Sequence, residues 1–266
     1  MKNVTRLILV AAVIAPSLFL GACVQQPTVQ EKSLTSLSKE IKEIRPGILE
    51  GYLGQDEYPN SLELLPPPPE EGSAAFALDQ EKAAYYVALS DEARKEQAVR
   101  DNELAFPEAA EAFNSVPGVE VSEENTPHLY MILRRSLADA GLSTYAAKDH
   151  YQRTRPFMVN QTPTLVPEEE EHLSKDGSYP SGHTAIGWAW ALILAEVYPG
   201  EADAILKRGK DFGISRNVCN VHWHSDVVAG RTMGAAAVAR LHANADFLID
   251  LEAAKEEVAA LMVVAN

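Results

Sequence analysis

Three groups of residues in this chain combine cations, histidines and a small-residue loop at spacings suited to handling a phosphoryl group. The central one is Gly177-Ser178-Tyr179-Pro180-Ser181-Gly182-His183-Thr184, which opens the most apolar helix candidate, residues 185–198. A loop of small residues entering a helix turns backbone N–H groups toward one point. The helix N-terminus adds partial positive charge there, so the point suits an oxyanion. Ser181 can donate a hydroxyl hydrogen bond, Gly182 lets the backbone approach a ligand closely, and His183 offers a proton. Taken alone, such a loop is usually just a turn followed by an N-cap. Its flanks change that. Upstream stand Lys148, six further residues, then Arg155-Pro156; downstream stand Ser215-Arg216, five residues, His222, three residues and Asp226. Lysine and arginine can hold non-bridging phosphate oxygens, arginine with a planar fork of donors and lysine as a point charge. A His–Asp pair supplies an imidazole of fixed tautomer. Phosphoryl transfer gains mostly from positioning and charge stabilisation, which this set could provide.

In residue type, order and internal spacing, Lys-x6-Arg-Pro, Pro-Ser-Gly-His and Ser-Arg-x5-His-x3-Asp resemble the three blocks of the type 2 phosphatidic acid phosphatase (PAP2) superfamily. The longer Gly-Ser-Tyr-Pro-Ser-Gly-His-Thr is similar to the bacterial class A non-specific acid phosphatases within it. The similarity runs from about Leu64-Leu65-Pro66-Pro67-Pro68-Pro69 to the C-terminus. It implies an all-α bundle of the PAP2/vanadium haloperoxidase type. It also implies an acid phosphatase that hydrolyses small phosphomonoesters such as nucleotides, sugar phosphates or aryl phosphates, and that can pass phosphate to alcohols. By the same resemblance His222 is the nucleophile that becomes a phosphohistidine, and Asp226 accepts a hydrogen bond from its other ring nitrogen. His183 protonates the leaving alkoxide and then activates water. Lys148, Arg155, Ser181, Gly182 and Arg216 bind the phosphate, and neither a metal nor another cofactor is required. A histidine acid with an ordinary pKa of about 6.5 works best at or below neutrality, so an acid optimum is expected.

The 266 residues, 46% of them apolar, suffice for one sizeable core. The formal charge of −15 disfavours nucleic acid as a partner and makes the motif cations a local positive site in a negative field. Two cysteines, Cys23 and Cys219, exclude a disulfide-rich scaffold. Residues 1–23 have the form of an export signal: Lys2 and Arg6, an apolar run from Leu7 to Leu20 broken at Pro16-Ser17, then Leu20-Gly21-Ala22-Cys23. The run is short for a membrane span. Leu-Gly-Ala-Cys resembles a bacterial lipoprotein box, which implies acylation of Cys23, a lipid anchor and a periplasmic or outer-membrane location. Plain secretion with cleavage near the same point is the alternative. The sequence leaves oligomeric state open, a homo-oligomer included.

The elements that must position the three blocks are helical. Residues 24–61 are polar and unpatterned, expected as a tether and loosely packed lead-in to a single domain over 62–266. Helices are expected over 74–100, 103–114, from Thr126-Pro127 onward with Leu129, Ile132, Leu133 and Leu137 inward, and over 146–154, 185–198, 201–213, 225–244 and 252–264. Pro156 should end its helix at or before Arg155. Lys148 and Arg155, seven apart, would then share one helical face. The stretch 161–176, with Glu168 to Glu171, is expected as a solvated loop, and no strand is expected.

Other readings compete. His222-Trp223-His224-Ser225-Asp226 also spells the His-x-His-x-Asp of metallo-hydrolase zinc sites, although Val227 stands where that motif wants a further histidine. Vanadium haloperoxidases share the three blocks, typically in much larger chains. Membrane lipid phosphatases share them too but need several spanning helices. A phosphate-binding lipoprotein without turnover would use the same cations but would leave the histidines without a purpose. His224 is expected at the site rim, where class A enzymes would have glutamine. His128, His150, His172 and His242 are expected to have no role.

Overall fold

The computed structural model describes residues 34–264, and the leader with Cys23 lies outside the described residues. A short antiparallel hairpin comes first, β1 (Glu43–Arg45) and β2 (Ile48–Leu49). Pro46-Gly47 turns it, with Gly47 at φ 77°, a conformation glycine adopts without strain. Helices follow: α1 (Ser61–Leu64), α2 (Ala74–Val87), α3 (Glu92–Arg100), α4 (Glu111–Asn114), α5 (Pro127–Leu142), α6 (Tyr145–Tyr151), α7 (Pro156–Asn160), α8 (Glu170–Leu173), α9 (Gly182–Val197), α10 (Ala202–Val218), α11 (His224–Leu241) and α12 (Ala245–Val264). The fold is all-α apart from the hairpin.

Helix α9 is the axis of the bundle. It is apolar on nearly every face, and Ile186, Ala189, Trp190, Ile193 and Leu194 are all buried. Helices α5, α10, α11 and α12 surround it. Small residues let α11 approach closely: a Cβ on Gly230 would stand 2.5 Å from the Ser181 carbonyl oxygen. None of the described helices is long and apolar enough to cross a membrane.

Several expected boundaries move, each for a local reason. The single helix expected over 74–100 is two, because Asp91 accepts from Arg94 N at 3.0 Å and caps a new helix. Residues 103–114 form only a short 3-10 turn and α4, since Pro107 cannot sit inside a helix. α6 ends at Tyr151 with Gln152 left-handed, and Arg155 is extended, capping α7 with Pro156 at its first position. Lys148 and Arg155 therefore do not share a helical face. α10 runs on to Val218, which places Arg216 on its last turn. α11 ends earlier than expected, at Leu241, and α12 starts at Ala245, its first turn held by Asn244 Oδ1 accepting from Phe247 N at 3.0 Å.

Residues 34–61 are not loose where they are described. Asp139 accepts from Tyr52 N and Leu53 N at 3.0 Å, and Asp250 accepts from Ser36 N at 2.8 Å and Tyr52 Oη at 2.7 Å. Arg135 donates to the Gly51 carbonyl at 2.6 Å. These buried bonds strap the segment across α5 and α12 and deliver Ile44, Arg45 and Ile48 to the rim of a cleft.

Candidate active site

Hydrogen bonds between backbone segments bring the three sequence blocks together. Ser178 N donates to the Arg153 carbonyl at 2.8 Å, joining the first block to the second. Ser181 N donates to the Asp226 carbonyl at 3.1 Å, joining the second to the third. Gly177 is required there, because a Cβ would stand 2.8 Å from the Lys148 carbonyl oxygen. The five-residue gap between Arg216 and His222 is a turn whose Val221 and His222 N–H groups both return to the Arg216 carbonyl, at 3.1 and 3.3 Å. Asn220 at φ 61° makes that turn possible.

His222 is buried between two partners. Its Nδ1 lies 3.3 Å from Asp226 Oδ2 and its Nε2 lies 3.2 Å from Arg155 Nη1. Arg155 can only donate, so Nε2 is the unprotonated nitrogen and Nδ1–H is donated to Asp226. Asp226 is the third residue of α11 and also accepts from Trp223 N at 2.8 Å, closing the helix start. Burial pushes its carboxyl up to about 6, against the pull of Arg153 and the Trp223 N–H.

Lys148, Arg155 and Arg216 are 4%, 1% and 0% exposed, and the first two share one partly exposed counter-ion, Asp176, at 3.3 and 3.1 Å. Lys148 Nζ also donates to the Gly177 carbonyl at 2.7 Å. Burial, reinforced by Arg155, brings the Lys148 ammonium down to about 8; burial brings Arg155 down to about 10. Arg216 donates from Nη1 to Asn102 Oδ1 at 2.5 Å, while its buried Nε and Nη2 have no hydrogen-bond partner. Unmatched buried guanidinium donors are costly unless an anion takes them.

The loop completes the cradle. Ser181 caps α9 by accepting from Thr184 N at 3.3 Å, which leaves its own hydroxyl proton available. The Gly182 and His183 N–H groups open α9, where no intrahelical acceptor exists. His183 Nε2 lies 3.0 Å from the Asn102 carbonyl, an acceptor only, so Nε2 carries the proton and Nδ1 the lone pair. Burial first and Arg216 second hold His183 neutral, well below the ordinary histidine range; burial and Arg155 do the same for His222.

Lys148, Arg155, Gly182, His183 and His222 line one cleft of about 460 Å³. Its outer wall is apolar, with Ile48, Leu104, Leu137, Leu142 and Ile186, and its rim carries Glu168, Glu169 and His172. Those rim residues lie on a 3-10 turn and α8 instead of an open solvated loop, and His172 is a cleft residue. His224 instead opens into a separate groove with Pro66, Tyr179 and Val228, so the two imidazoles of the His-x-His-x-Asp reading face different cavities. The proline run folds against the domain, Tyr179 Oη donating to the Pro66 carbonyl at 2.7 Å. Asn102, Asp176, Arg153 and Asp79 are not legible in the sequence as site residues. Only Arg153, an unspecified position inside the first block, and Asp176, immediately before the second, carry any signal there.

The PAP2 superfamily matches residues 129–248, which include every block from Lys148 to Asp226. A non-specific acid phosphatase of Providencia stuartii is 45% identical over 211 residues, 79% of this chain and 85% of that one. The non-specific acid phosphatase of Salmonella typhimurium is 39% identical over 203 residues, 76% and 81% of the two chains. An acid phosphatase of Zymomonas mobilis is 39% identical over 193 residues, 73% of each. With its three blocks folded into one cation-lined cleft and relatives this similar over most of its length, the chain belongs to the PAP2 superfamily and, within it, to the non-specific acid phosphatases.

Proposed function

We propose that this chain is an acid phosphatase for small phosphomonoesters that works through a phosphohistidine on His222, without a metal. The observation that carries the reading is the pairing of a neutral His222, backed by Asp226 at 3.3 Å, with buried Arg216 donors that have no protein acceptor. Phosphate oxygens would take the Arg216 donors, the Arg155 fork, Lys148, the Ser181 hydroxyl and the Gly182 N–H. His222 Nε2 then attacks phosphorus in line, the P–O bond to the leaving alkoxide breaks, and Asp226 stabilises the positive charge that forms on the ring. His183 Nδ1, once protonated, gives its proton to the alkoxide and afterwards takes one from the water that cleaves the P–N bond. Protein cations neutralise the transferring group, which is the task a metal performs elsewhere.

The cleft volume, about 460 Å³, suits a nucleoside, sugar or aryl leaving group against the apolar wall, which supports a broad substrate range. We also assign Cys23 as a lipid attachment point, with the enzyme working outside the cytoplasm.

The experiment is hydrolysis of an aryl phosphate by residues 24–266 from pH 4 to 9 in excess chelator, beside His222→Ala. Activity that survives chelator, vanishes in the variant and traps radiolabelled phosphate on the wild-type protein supports the scheme. Activity abolished by chelator, or retained by His222→Ala, overturns it.

A further inference from the structure

Behind Asp226 lies a second layer of charge made from residues that occupy none of the defining positions of the three blocks. Arg153 reaches back from the connection between α6 and α7. Its Nη1 donates to Asp226 Oδ1 at 2.6 Å and to Ser225 Oγ at 2.7 Å, and its Nη2 donates to Asp79 Oδ2 at 2.7 Å. Asp79 in turn accepts from Ser225 N at 2.8 Å and Ser225 Oγ at 2.6 Å. Trp223 covers the guanidinium, its ring centroid 5.4 Å from Cζ, and is itself pinned by donating Nε1 to the Thr154 carbonyl at 2.8 Å.

Two features mark this layer as more than packing. Asp79 is 1% exposed on α2, a helix whose other residues are half-buried or exposed. A carboxylate is an expensive choice for that one inward position unless its charge is used. Both terminal nitrogens of Arg153 are also engaged by protein acceptors, Asp226, Ser225 and Asp79, on the side of Asp226 away from His222.

We infer that Arg153 and Asp79 are positioning residues for the reaction: Asp79 aims the Arg153 guanidinium so that it holds Asp226 as an oriented carboxylate behind His222. This rests on His222 being the nucleophile. One guanidinium between two carboxylates fixes the plane of Asp226, whose other oxygen is then left to His222 Nδ1–H and Trp223 N.

The charges facing Asp226 decide the sign of each perturbation. Arg153 and the Trp223 N–H lower its pKa, while burial and Asp79 raise it. Lys148, Arg155 and Tyr179 also feel Asp226 across the site, and His224 faces Asp79 from α11. Asp226 must be ionised to offset the positive charge that forms on the His222 ring. Removing the Arg153 charge therefore raises the pH at which activity fails on the acid side. Removing the Asp79 charge lowers it, while loosening the orientation of the guanidinium.

The test uses the full chain with an aryl phosphate, measuring kcat and KM from pH 4 to 8 for wild type, Arg153→Gln, Arg153→Lys and Asp79→Asn, with His222→Ala as reference. Arg153→Gln should move the acid limb of kcat up by about one unit or more, and Asp79→Asn should move it down. KM should stay within about twofold in both, because the cradle is untouched. A purely structural role would lower kcat in step with melting temperature and leave the limbs in place, and that result overturns the inference. If Arg153→Gln does not fold, the direction of the Asp79→Asn limb decides. Retained activity in His222→Ala would instead remove the nucleophile reading beneath it.

Discussion

Arg155 Nη1 stands 3.2 Å from His222 Nε2, so a buried cation faces the ring nitrogen that would attack phosphorus. The contact keeps that nitrogen unprotonated, and the same guanidinium holds Asp176 at 3.1 Å and the Leu173 carbonyl at 2.9 Å. A planar fork is needed to serve all three directions. Arg155→Lys keeps the charge and loses the fork. It should lower kcat/KM about 100-fold, comparable to removing one preorganised donor from an oxyanion site. Steady-state kinetics on an aryl phosphate checks this, and a loss under about threefold would show that charge alone suffices.

The pH dependence follows from three groups. Asp226, raised to about 6 by burial, must be ionised in the proposed scheme, so activity should fall as pH drops through that value. Burial and Arg216 hold His183 neutral in the free site. The proton that His183 passes to the leaving group is then best brought into the site by the substrate monoanion, whose second pKa is about 6, so activity also falls as pH rises past it. The kcat/KM profile should be a bell centred near about pH 6, on the acid side of neutrality. Above pH 8 a further fall should come from KM, as Lys148, lowered to about 8, loses its charge. A profile that peaks at pH 8 or above would contradict all three assignments.

Asn102 joins the site from the end of α3. Its Oδ1 accepts from Arg216, its Nδ2 donates to Glu169 at 2.6 Å, and its carbonyl holds His183 Nε2. Asn102→Ala removes the side-chain bonds and leaves the carbonyl. It should cost about 10-fold or more in kcat/KM, the size of one hydrogen bond to a charged group. Asn102→Asp should be worse than alanine, because a carboxylate on Arg216 competes with phosphate for the same charge. Equal losses in the two variants would mean that Asn102 only supports the fold.

What can be read in the sequence follows the backbone. Arg216, His222 and Asp226 are legible because one turn returning to the Arg216 carbonyl sets their spacing. Ser181, Gly182 and His183 are legible because a helix start has a recognisable composition. Lys148 and Arg155 are legible as a pair for the wrong reason: they meet at Asp176 and the Gly177 carbonyl after a left-handed residue, not along one helix. Asn102, in the turn after α3, and Asp79, on α2, are remote in sequence from the blocks, and nothing local distinguishes them from solvated polar residues. The end of α10 escapes a sequence reading because Gly213 resembles a helix stop, whereas its missing side chain makes room for Thr184 and Val227. The hairpin escapes it because two strands of three and two residues carry no periodicity.

The same close packing couples the fold to the site. A Cβ on Gly230 would meet the Ser181 carbonyl at 2.5 Å and Thr184 Cβ at 2.9 Å, so Gly230→Ala must push α11 away from the start of α9. Overpacking of this kind costs about 1–3 kcal/mol, and a chain of this size loses about 2–4 °C of melting temperature per kcal/mol. Ser181 caps α9 and, in the proposed scheme, offers its hydroxyl to the phosphate, so its displacement should raise KM as well as lower Tm. At Gly200 an added methyl group would have nothing within 4 Å, and Gly200→Ala serves as the control, expected within about 0.5 kcal/mol of wild type. Calorimetry and steady-state kinetics on the two variants separate the effects. A Gly230→Ala protein as stable as wild type would show that α11 can shift freely. One that is destabilised with an unchanged KM would show that the Ser181 hydroxyl does not depend on this contact.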